Sequence, residues 1–279
     1  LVREPAGAAP AVDVLLDEIE RAGSGPAVVE LPSDLLSAPA ATPTTPATPT
    51  AREGLRDRPV AVEGVARLLA EARAPLVFVG RGALHASAEL RSLFHRLGGV
   101  PVVAQGRGKG IVADADPLAM PLHAAASLWN DADVVVAVGT RMRHVLQAWT
   151  RPKGQTLIVI DNDERSAPAV SRADRLVLGD AKAVLAALLS QLPEPAGGDR
   201  RAAWRERAAA AKRSTLAALD EALTPQMRWV RAIRKGLPGD GLVVVDYTQI
   251  GYVANIALPV DAPGRIITPG YQGTLGFAF

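Results

Sequence analysis

Residues Leu242–Phe279 read LVVVDYTQIGYVANIALPVDAPGRIITPGYQGTLGFAF, and the pattern of this segment indicates the fold class. Its apolar runs are too short for helices and rich in β-branched residues, so they predict buried strands. The predicted order is strand 242–245, helix 250–257, strand 265–268 and a glycine-rich run, 269–276. In open α/β sheets, ligands bind beyond the carboxyl ends of such strands. We therefore expect the turns Asp246–Gln249 and Thr268–Gly276 to lie at one binding edge.

The glycine-rich run contains the motif Gly273–Ala278, GTLGFA. This motif resembles the G-(T/A)-(hydrophobic)-G-F-(A/G) run that opens a helix under the cofactor in thiamine-diphosphate enzymes of the acetolactate synthase and benzoylformate decarboxylase group. A βα turn whose glycines let helix and strand pack closely also explains the pattern. The resemblance implies seven cofactor-binding residues: Thr248, Gln249, Gly270, Gly273, Thr274, Leu275 and Gly276.

The resemblance also implies a role for several of these residues. The Gly273 carbonyl would accept a hydrogen bond from the 4′-amino group of thiamine diphosphate, and Leu275 would force the cofactor into its V shape. Thr248 and Gln249 would approach the diphosphate. The implied reaction is attack of the thiazolium ylid on a small 2-oxo acid, with the cofactor ring as electron sink, so the expected activity is that of a carboligase or decarboxylase.

No catalytic residue is expected within this chain. In the family that it resembles, the activating glutamate comes from another subunit, which implies a homodimer or homotetramer with the active site between subunits. The Mg²⁺ ligands are expected beyond Phe279, because Gly239-Asp240-Gly241 has the opening letters of the family's metal motif but precedes a strand and predicts a turn. We expect the 279-residue chain alone to be inactive.

Composition restricts the remaining function classes. The chain has 279 residues, of which 48% are hydrophobic, and carries 31 basic against 29 acidic side chains, so nothing indicates a nucleic-acid partner. The absence of cysteine excludes disulfides, thiolate zinc sites and a cysteine nucleophile. No apolar run is long enough for a membrane span, and a cytoplasmic location is expected. Because the sequence starts with Leu1 and stops at Phe279 within a motif, we expect it to be a piece of a longer protein.

The pattern along the chain predicts five parts. Residues 1–37, with a helix at Ala11–Arg21 and a strand at Ala27–Leu31, resemble the end of the pyrimidine-binding domain of the same enzymes. A linker rich in proline and threonine follows. Residues 196–225 predict an alanine-rich connector helix with a solvated, mixed-charge surface. The predicted ranges are 1–37, linker 38–58, central domain 59–195, connector 196–225 and the truncated start of the thiamine-diphosphate-binding domain, 226–279.

The central range alternates between apolar strands and amphipathic helices. This alternation predicts an α/β fold with a doubly wound parallel sheet, Rossmann-like, flanked by partial α/β domains. The predicted strands are 76–79, 100–104, 134–138, 156–160 and a short edge at 175–178, and the predicted helices are 60–71, 87–97, 121–130 and 181–192.

Three turns in this range invite a nucleotide-binding hypothesis. Gly80-Arg81-Gly82 lacks the third glycine of a dinucleotide fingerprint and is interpreted as a tight turn. Gly106–Gly110, GRGKG, resembles a phosphate loop without its Lys-Ser/Thr ending, so phosphate binding and a plain loop both stay open. Asp161 could cap the next segment or hold a ribose. The order of these turns is similar to the central domain of the thiamine enzymes, and if FAD is bound, the resemblance places it at Gly106–Gly110, Gly139–Arg141 and Asp161.

Two functions of different class therefore remain. The first is a thiamine-diphosphate-dependent 2-oxo acid carboligase or decarboxylase that uses Mg²⁺ and possible FAD. The second is a non-catalytic nucleotide-binding or regulatory α/β module.

Overall fold

The computed structural model describes residues 2–22, 27–39, 62–104, 106–164, 169–193, 199–270, 273 and 275–279. The chain forms two compact units, Leu1–Leu55 and Arg56–Phe279. Most of the predicted linker, residues 40–58, lies outside the described residues.

In residues 2–22 and 27–39 of the first unit, the structure has the helix α1 (Ala8–Ala22), a 3-10 turn at Pro5–Gly7 before it and a second 3-10 turn at Leu35–Ser37. The helix prediction for Ala11–Arg21 is confirmed. The prediction of a strand at Ala27–Leu31 is wrong, since these residues are not assigned to a strand. A strand needs a hydrogen-bonded ladder with a neighbour. Here the described backbone contact is a single bond from Val2 N to Glu30 O at 3.0 Å.

A six-stranded parallel sheet organises the second unit. Its strands are β1 (Pro75–Val79), β2 (Val102–Ala104), β3 (Ala119–Met120), β4 (Val134–Val138), β5 (Thr156–Asp161) and β6 (Arg175–Leu178). Their order across the sheet is β3-β2-β1-β4-β5-β6. This is the doubly wound order, in which the chain reverses direction across the sheet between β1 and β4. The predicted α/β fold class is confirmed.

Two layers of helices bury the sheet. They are α2 (Glu63–Glu71), α3 (Ser87–Arg96) and α6 (Ala181–Gln191) on one face, with α4 (Leu122–Ala126), α5 (Arg143–Ala148) and α7 (Ala202–Ala222) on the other. Strand side chains alternate between the layers, so Val77 and Val79 pack on the first face while Leu76 and Phe78 pack on the second. A strand buried on both faces must be apolar along its whole length, which explains why these runs were predictable.

The structure departs from the sequence predictions in four elements of this unit. The predicted helix 121–130 is only α4 followed by a 3-10 turn, Trp129–Asp131. Strand β3 and helix α5 were not predicted; β3 has two residues, which is too short for a period to be recognised. The connector α7 was predicted to be solvated, but one side of it is buried. Trp204 and Ala208 are buried, and the Trp204 indole N–H donates to Pro75 O at 2.8 Å.

The chain continues through α8 (Thr224–Gly236) into a small βαβ unit. In this unit β7 (Val243–Val244) and β8 (Ile266–Ile267) pair in parallel, and α9 (Gln249–Ala257) connects them. The predicted strand–helix–strand order and the parallel pairing are confirmed, although both strands are shorter than predicted. The core of this unit is formed by Met227, Val230, Val245, Val253, Ala254, Leu258, Val260 and Ile266.

Candidate functional site

The turns after β7 and β8 leave the small sheet at the same edge, because the two strands are parallel. A small polar crevice lies there. Its lining residues are Asp246, Tyr247, Tyr252, Asn255, Thr268, Pro269 and Gly270. Both predicted turns thus lie at one edge of the small sheet, as expected, and that this edge binds a ligand stays a prediction.

Asp246 ties the two turns together. One oxygen of its carboxylate accepts from the Tyr247 N–H at 2.7 Å, and the other accepts from the Gly276 N–H at 2.7 Å, thirty residues further along the chain. Gly251 allows α9 to begin directly beneath this turn, since a Cβ at residue 251 would lie 2.1 Å from Asp246 O. The carboxylate thus fixes the glycine-rich run against the end of β7.

The predicted cofactor-binding residues lie in two places along the chain: the glycine-rich run after β8, and the start of α9. Gly270 lines the crevice, and its carbonyl accepts a hydrogen bond from the Tyr247 hydroxyl group. Gly273 has a left-handed backbone, φ 63°, with open space where a Cβ would lie, and the Leu275 side chain is 75% exposed. Leu275 is therefore not a core leucine. Thr274 lies outside the described residues.

Thr248 and Gln249 have local partners instead of facing the crevice. The Thr248 hydroxyl accepts from the Gly251 N–H at 3.0 Å and so caps the start of α9. The Gln249 amide oxygen accepts from the Gln226 side chain at 3.2 Å. Neither residue is part of the lining, and Gly273 and Leu275 are not part of it either. The expectation that these four residues share one crevice is therefore not met within the described residues. The assignment of all these residues to cofactor binding stays a prediction.

Sequence reasoning missed two members of the crevice that lie on α9, outside both predicted turns: Tyr252 and Asn255. The rings of Tyr247 and Tyr252 meet edge to face with centroids 5.6 Å apart. The amide oxygen of Asn255 is buried and lacks a hydrogen-bond partner among the described residues. An unsatisfied buried acceptor is unfavourable, and it marks a position where a ligand donor or a water would be stabilised. The signal was available, since Tyr252 and Asn255 are three residues apart on α9 and share one face.

The glycine turns of the central sheet are engaged in packing. A Cβ on Gly80 would lie 2.5 Å from Gly139 O, and the Gly82 N–H donates to that same carbonyl at 3.1 Å. The turns after β1 and β4 therefore pack backbone to backbone where the strand order reverses. This geometry agrees with the interpretation of Gly80–Gly82 as a tight turn. The Asp161 carboxylate accepts from the Asp163 N–H at 3.0 Å, which closes a local turn after β5.

The GRGKG loop is likewise occupied by the protein itself. Residues Gly106–Gly108 form a 3-10 turn, and the buried Lys109 ammonium pairs with the Asp114 carboxylate at 2.7 Å. Gly110 has φ 84°, and a Cβ there would lie 2.1 Å from Ala262 O. Of the positions at which FAD was expected, Gly139, Lys109 and Gly110 thus have packing roles, and Arg141 is exposed. These contacts provide no support for a flavin.

Burial perturbs one cation close to this loop. The Lys212 ammonium donates to Asp114 O at 2.6 Å and to Asp116 O at 2.7 Å. Desolvation by burial lowers the pKa of Lys212, and the nearby carboxylates of Asp114 and Asp116 only partly oppose it. The lysine is therefore a structural clamp between α7 and the loop that follows β2.

The described residues contain no group of three or more histidine, aspartate or glutamate side chains able to hold a metal ion. The placement of the Mg²⁺ ligands beyond Phe279 stays a prediction. In the part of the chain that the structure describes, none of the helices combines the length and the hydropathy of a bilayer span.

Comparison with known proteins gives the family. Residues 62–188 match the family described as thiamine pyrophosphate enzyme, central domain. The chain is 34% identical over 268 residues to a probable 2-ketoarginine decarboxylase of Pseudomonas aeruginosa, covering 90% of this chain and 45% of that protein. It is 27% identical over 273 residues to the acetolactate synthase isozyme 3 large subunit of Escherichia coli, covering 91% of this chain and 47% of that subunit.

A solved structure shows the same fold. It is described as a putative thiamin diphosphate-dependent enzyme from Mycobacterium smegmatis, and it superposes with a TM-score of 0.66 at 17% identity, covering 99% of this chain and 53% of that one. The chain spans about half the length of these relatives. The matched central domain and the relatives over most of the chain agree, and the chain belongs to the family of thiamine-diphosphate-dependent enzymes.

Proposed function

We propose that this chain is part of a thiamine-diphosphate-dependent enzyme that decarboxylates or ligates a small 2-oxo acid. The observation that supports this function best is the parallel β7–α9–β8 unit, in which the Asp246 carboxylate holds Gly276 N at 2.7 Å and brings the glycine-rich run to the carboxyl edge of the strands. Two relatives are by name a probable 2-ketoarginine decarboxylase and an acetolactate synthase subunit, and the first name includes a 2-keto acid.

The residues at this edge fit one side of a thiamine site. Gly273 leaves open space where a side chain would otherwise stand, and the exposed Leu275 presents an apolar surface beside it. The buried Asn255 acceptor supplies a place for a donor group. Thiamine diphosphate, when bound, supplies an electron sink for breaking a carbon–carbon bond next to a carbonyl. The chain's own contribution is to bind and orient this group through Thr248, Gln249, Gly270, Gly273, Thr274, Leu275 and Gly276.

The groups that complete the site are proposed to lie outside this chain. Mg²⁺ ligands and the activating glutamate are assigned to the remaining half of the protein, with the glutamate contributed by a second copy in a homodimer or homotetramer. Residues 1–37 are assigned to the end of the pyrimidine-binding domain and 226–279 to the start of the thiamine-diphosphate-binding domain. The enzyme is assigned to the cytoplasm.

The test is turnover by the full-length protein. Full-length protein with thiamine diphosphate and Mg²⁺ should release CO₂ from at least one member of a panel of 2-oxo acids, including pyruvate and 2-keto acids with basic side chains. The 279-residue chain should release none, because the glutamate and the metal ligands are assigned to other parts of the enzyme. Product analysis separates aldehyde release from ligation to a second carbonyl compound. Failure of the full-length protein to bind thiamine diphosphate would favour the non-catalytic nucleotide-binding or regulatory module.

A further inference from the structure

The loop after β2 holds the βαβ unit in place. We define this contact as the loop junction: residues 106–116 on one side and residues 260–268 on the other. Three kinds of interaction form it. The Arg107 guanidinium donates to a backbone carbonyl, the ion-paired Asp114 carboxylate accepts from a backbone amide in the loop between α9 and β8, and Gly110 lies against a backbone carbonyl. These contacts join the central domain to the part of the chain that carries the candidate crevice.

Arg107 makes the contact nearest to the crevice. Its Nε and Nη2 atoms both donate to Thr268 O, at 3.2 and 3.0 Å. Thr268 is buried, follows β8 directly and lines the crevice two residues before Gly270. A hydrogen bond from a charged donor is among the stronger ones in a protein. The guanidinium therefore fixes the backbone at the point where β8 turns into the glycine-rich run.

Asp114 secures the other end of the same segment. Its carboxylate accepts from Lys109 at 2.7 Å and from the Val260 N–H at 2.9 Å, while its own N–H donates to Val260 O at 3.1 Å. Gly110 permits the close approach, because a side chain there would overlap the Ala262 carbonyl. The segment from Val260 to Thr268 is thus held at both ends by one loop of the central domain.

We propose that Arg107 is a positioning residue for the cofactor crevice, acting through Thr268 O to set the direction of the Pro269–Gly270 turn. This inference rests on the proposed function, since it concerns thiamine diphosphate at the same edge. On this proposal, the GRGKG loop holds the end of β8 and does not bind a phosphate group. Arg107 itself does not line the crevice. Without the guanidinium, the end of β8 adopts additional orientations that do not bind thiamine diphosphate. The apparent affinity for the cofactor then falls in proportion to the fraction of molecules that keep the binding orientation.

The experiment measures thiamine diphosphate binding to full-length protein by titration calorimetry at saturating Mg²⁺. The variants are Arg107→Ala and Arg107→Lys, with Arg67→Ala on the exposed face of α2 as the charge-matched control. We expect Arg107→Ala to raise the Kd for thiamine diphosphate about tenfold, Arg107→Lys to restore part of the affinity, and Arg67→Ala to bind as the unsubstituted protein does. The kcat at saturating cofactor should stay within about twofold, because Arg107 touches no reacting atom.

A second variant guards against simple misfolding. Gly110→Ala perturbs the loop junction from a site outside the crevice, so it should also weaken cofactor binding while the central domain keeps its circular dichroism spectrum. A role confined to stability would lower the melting temperature of the cofactor-free Arg107→Ala protein and leave its Kd unchanged, and that result overturns the inference. Equal Kd values for Arg107→Ala and the unsubstituted protein overturn it as well. If the unsubstituted protein fails to bind thiamine diphosphate, the proposed function itself is refuted.

Discussion

Replacing Arg201 should destabilise the central domain more than any surface substitution. This buried guanidinium donates to four backbone carbonyls, those of Leu69, Ala70, Ala72 and Leu97. They belong to the carboxyl-terminal ends of α2 and α3, where helix carbonyls lack partners within the helix. One cation therefore caps two helices and interacts favourably with both helix dipoles.

The expected loss of unfolding free energy follows from the buried carbonyls that lose their hydrogen-bond donor when Arg201 is replaced. Burial lowers the pKa of Arg201, although a guanidinium stays charged at neutral pH, so part of its hydrogen-bond energy offsets desolvation. Substitution by methionine keeps much of the volume but leaves buried carbonyls without a donor, at about 1–3 kcal/mol each before water enters. The methionine variant no longer has to desolvate a buried guanidinium, and this gain offsets part of the loss. We therefore expect Arg201→Met to lower the free energy of unfolding by about 3–5 kcal/mol. Arg201→Lys should cost about half of that, because an ammonium cannot reach all four oxygens.

The assay is urea unfolding of the full-length protein followed by tryptophan fluorescence, which reports on the central domain through Trp129, Trp149 and Trp204. Arg200→Met is the matched control, since Arg200 is the exposed neighbour, and it should change the free energy of unfolding by less than about 0.5 kcal/mol. A change below about 1 kcal/mol for Arg201→Met would refute the double-cap explanation.

Three further outcomes are expected. Gly80→Ala should lower the melting temperature, because its Cβ would meet Gly139 O at 2.5 Å, whereas Gly64→Ala on α2, with nothing within 4 Å, should not; equal effects would contradict the close approach. Burial acts to raise the pKa of Asp180, but hydrogen bonds from His85 and the α6 amides outweigh it and lower that pKa. A lowered carboxylate pKa stabilises the fold above its unfolded pKa and loses that contribution as pH falls, so the stability gap between the natural protein and Asp180→Asn should close in acid. Absorbance of purified full-length protein should lack a stoichiometric flavin band, since the loop after β2 is filled by its own packing; such a band would move the assignment toward acetolactate synthase.

The sequence was informative where one residue type repeats over a whole element. The runs that became β1, β4 and β5 are apolar on both faces, and such runs have few alternatives to a buried parallel strand. Contacts between distant parts of the chain were not predictable in this way. Arg201 lies in a mixed-charge stretch that is typical of a solvated helix, yet its partners are carbonyls more than a hundred residues earlier.

The candidate site was predicted in outline and missed in detail for the same reason. The order of strand, helix and glycine-rich run located the edge, because topology follows from local pattern. The lining depends on which way single side chains turn. Thr248 preceded a helix and could have been identified as an N-cap, which would have removed it from the lining. The loop with Arg107 and Gly110 was compared with a phosphate loop, and a plain loop also stayed open. Its contacts are to the backbone carbonyls of Thr268 and Ala262, and a backbone carbonyl cannot be recognised from the residue type.

The central place of β1 in the sheet sets the order in which the protein can assemble as it is synthesised. β1 pairs with β2 on one side, and that ladder can form once residue 104 has emerged, whereas its other ladder, Pro75–Val79 with Val134–Val138, must wait for β4. Until then one edge of β1 is a row of unsatisfied amides and carbonyls on an apolar strand, which is a template for pairing with other chains. Parallel pairing across such separations is slow. Aggregation during synthesis is therefore expected to depend on how fast the ribosome covers the stretch between β2 and β4.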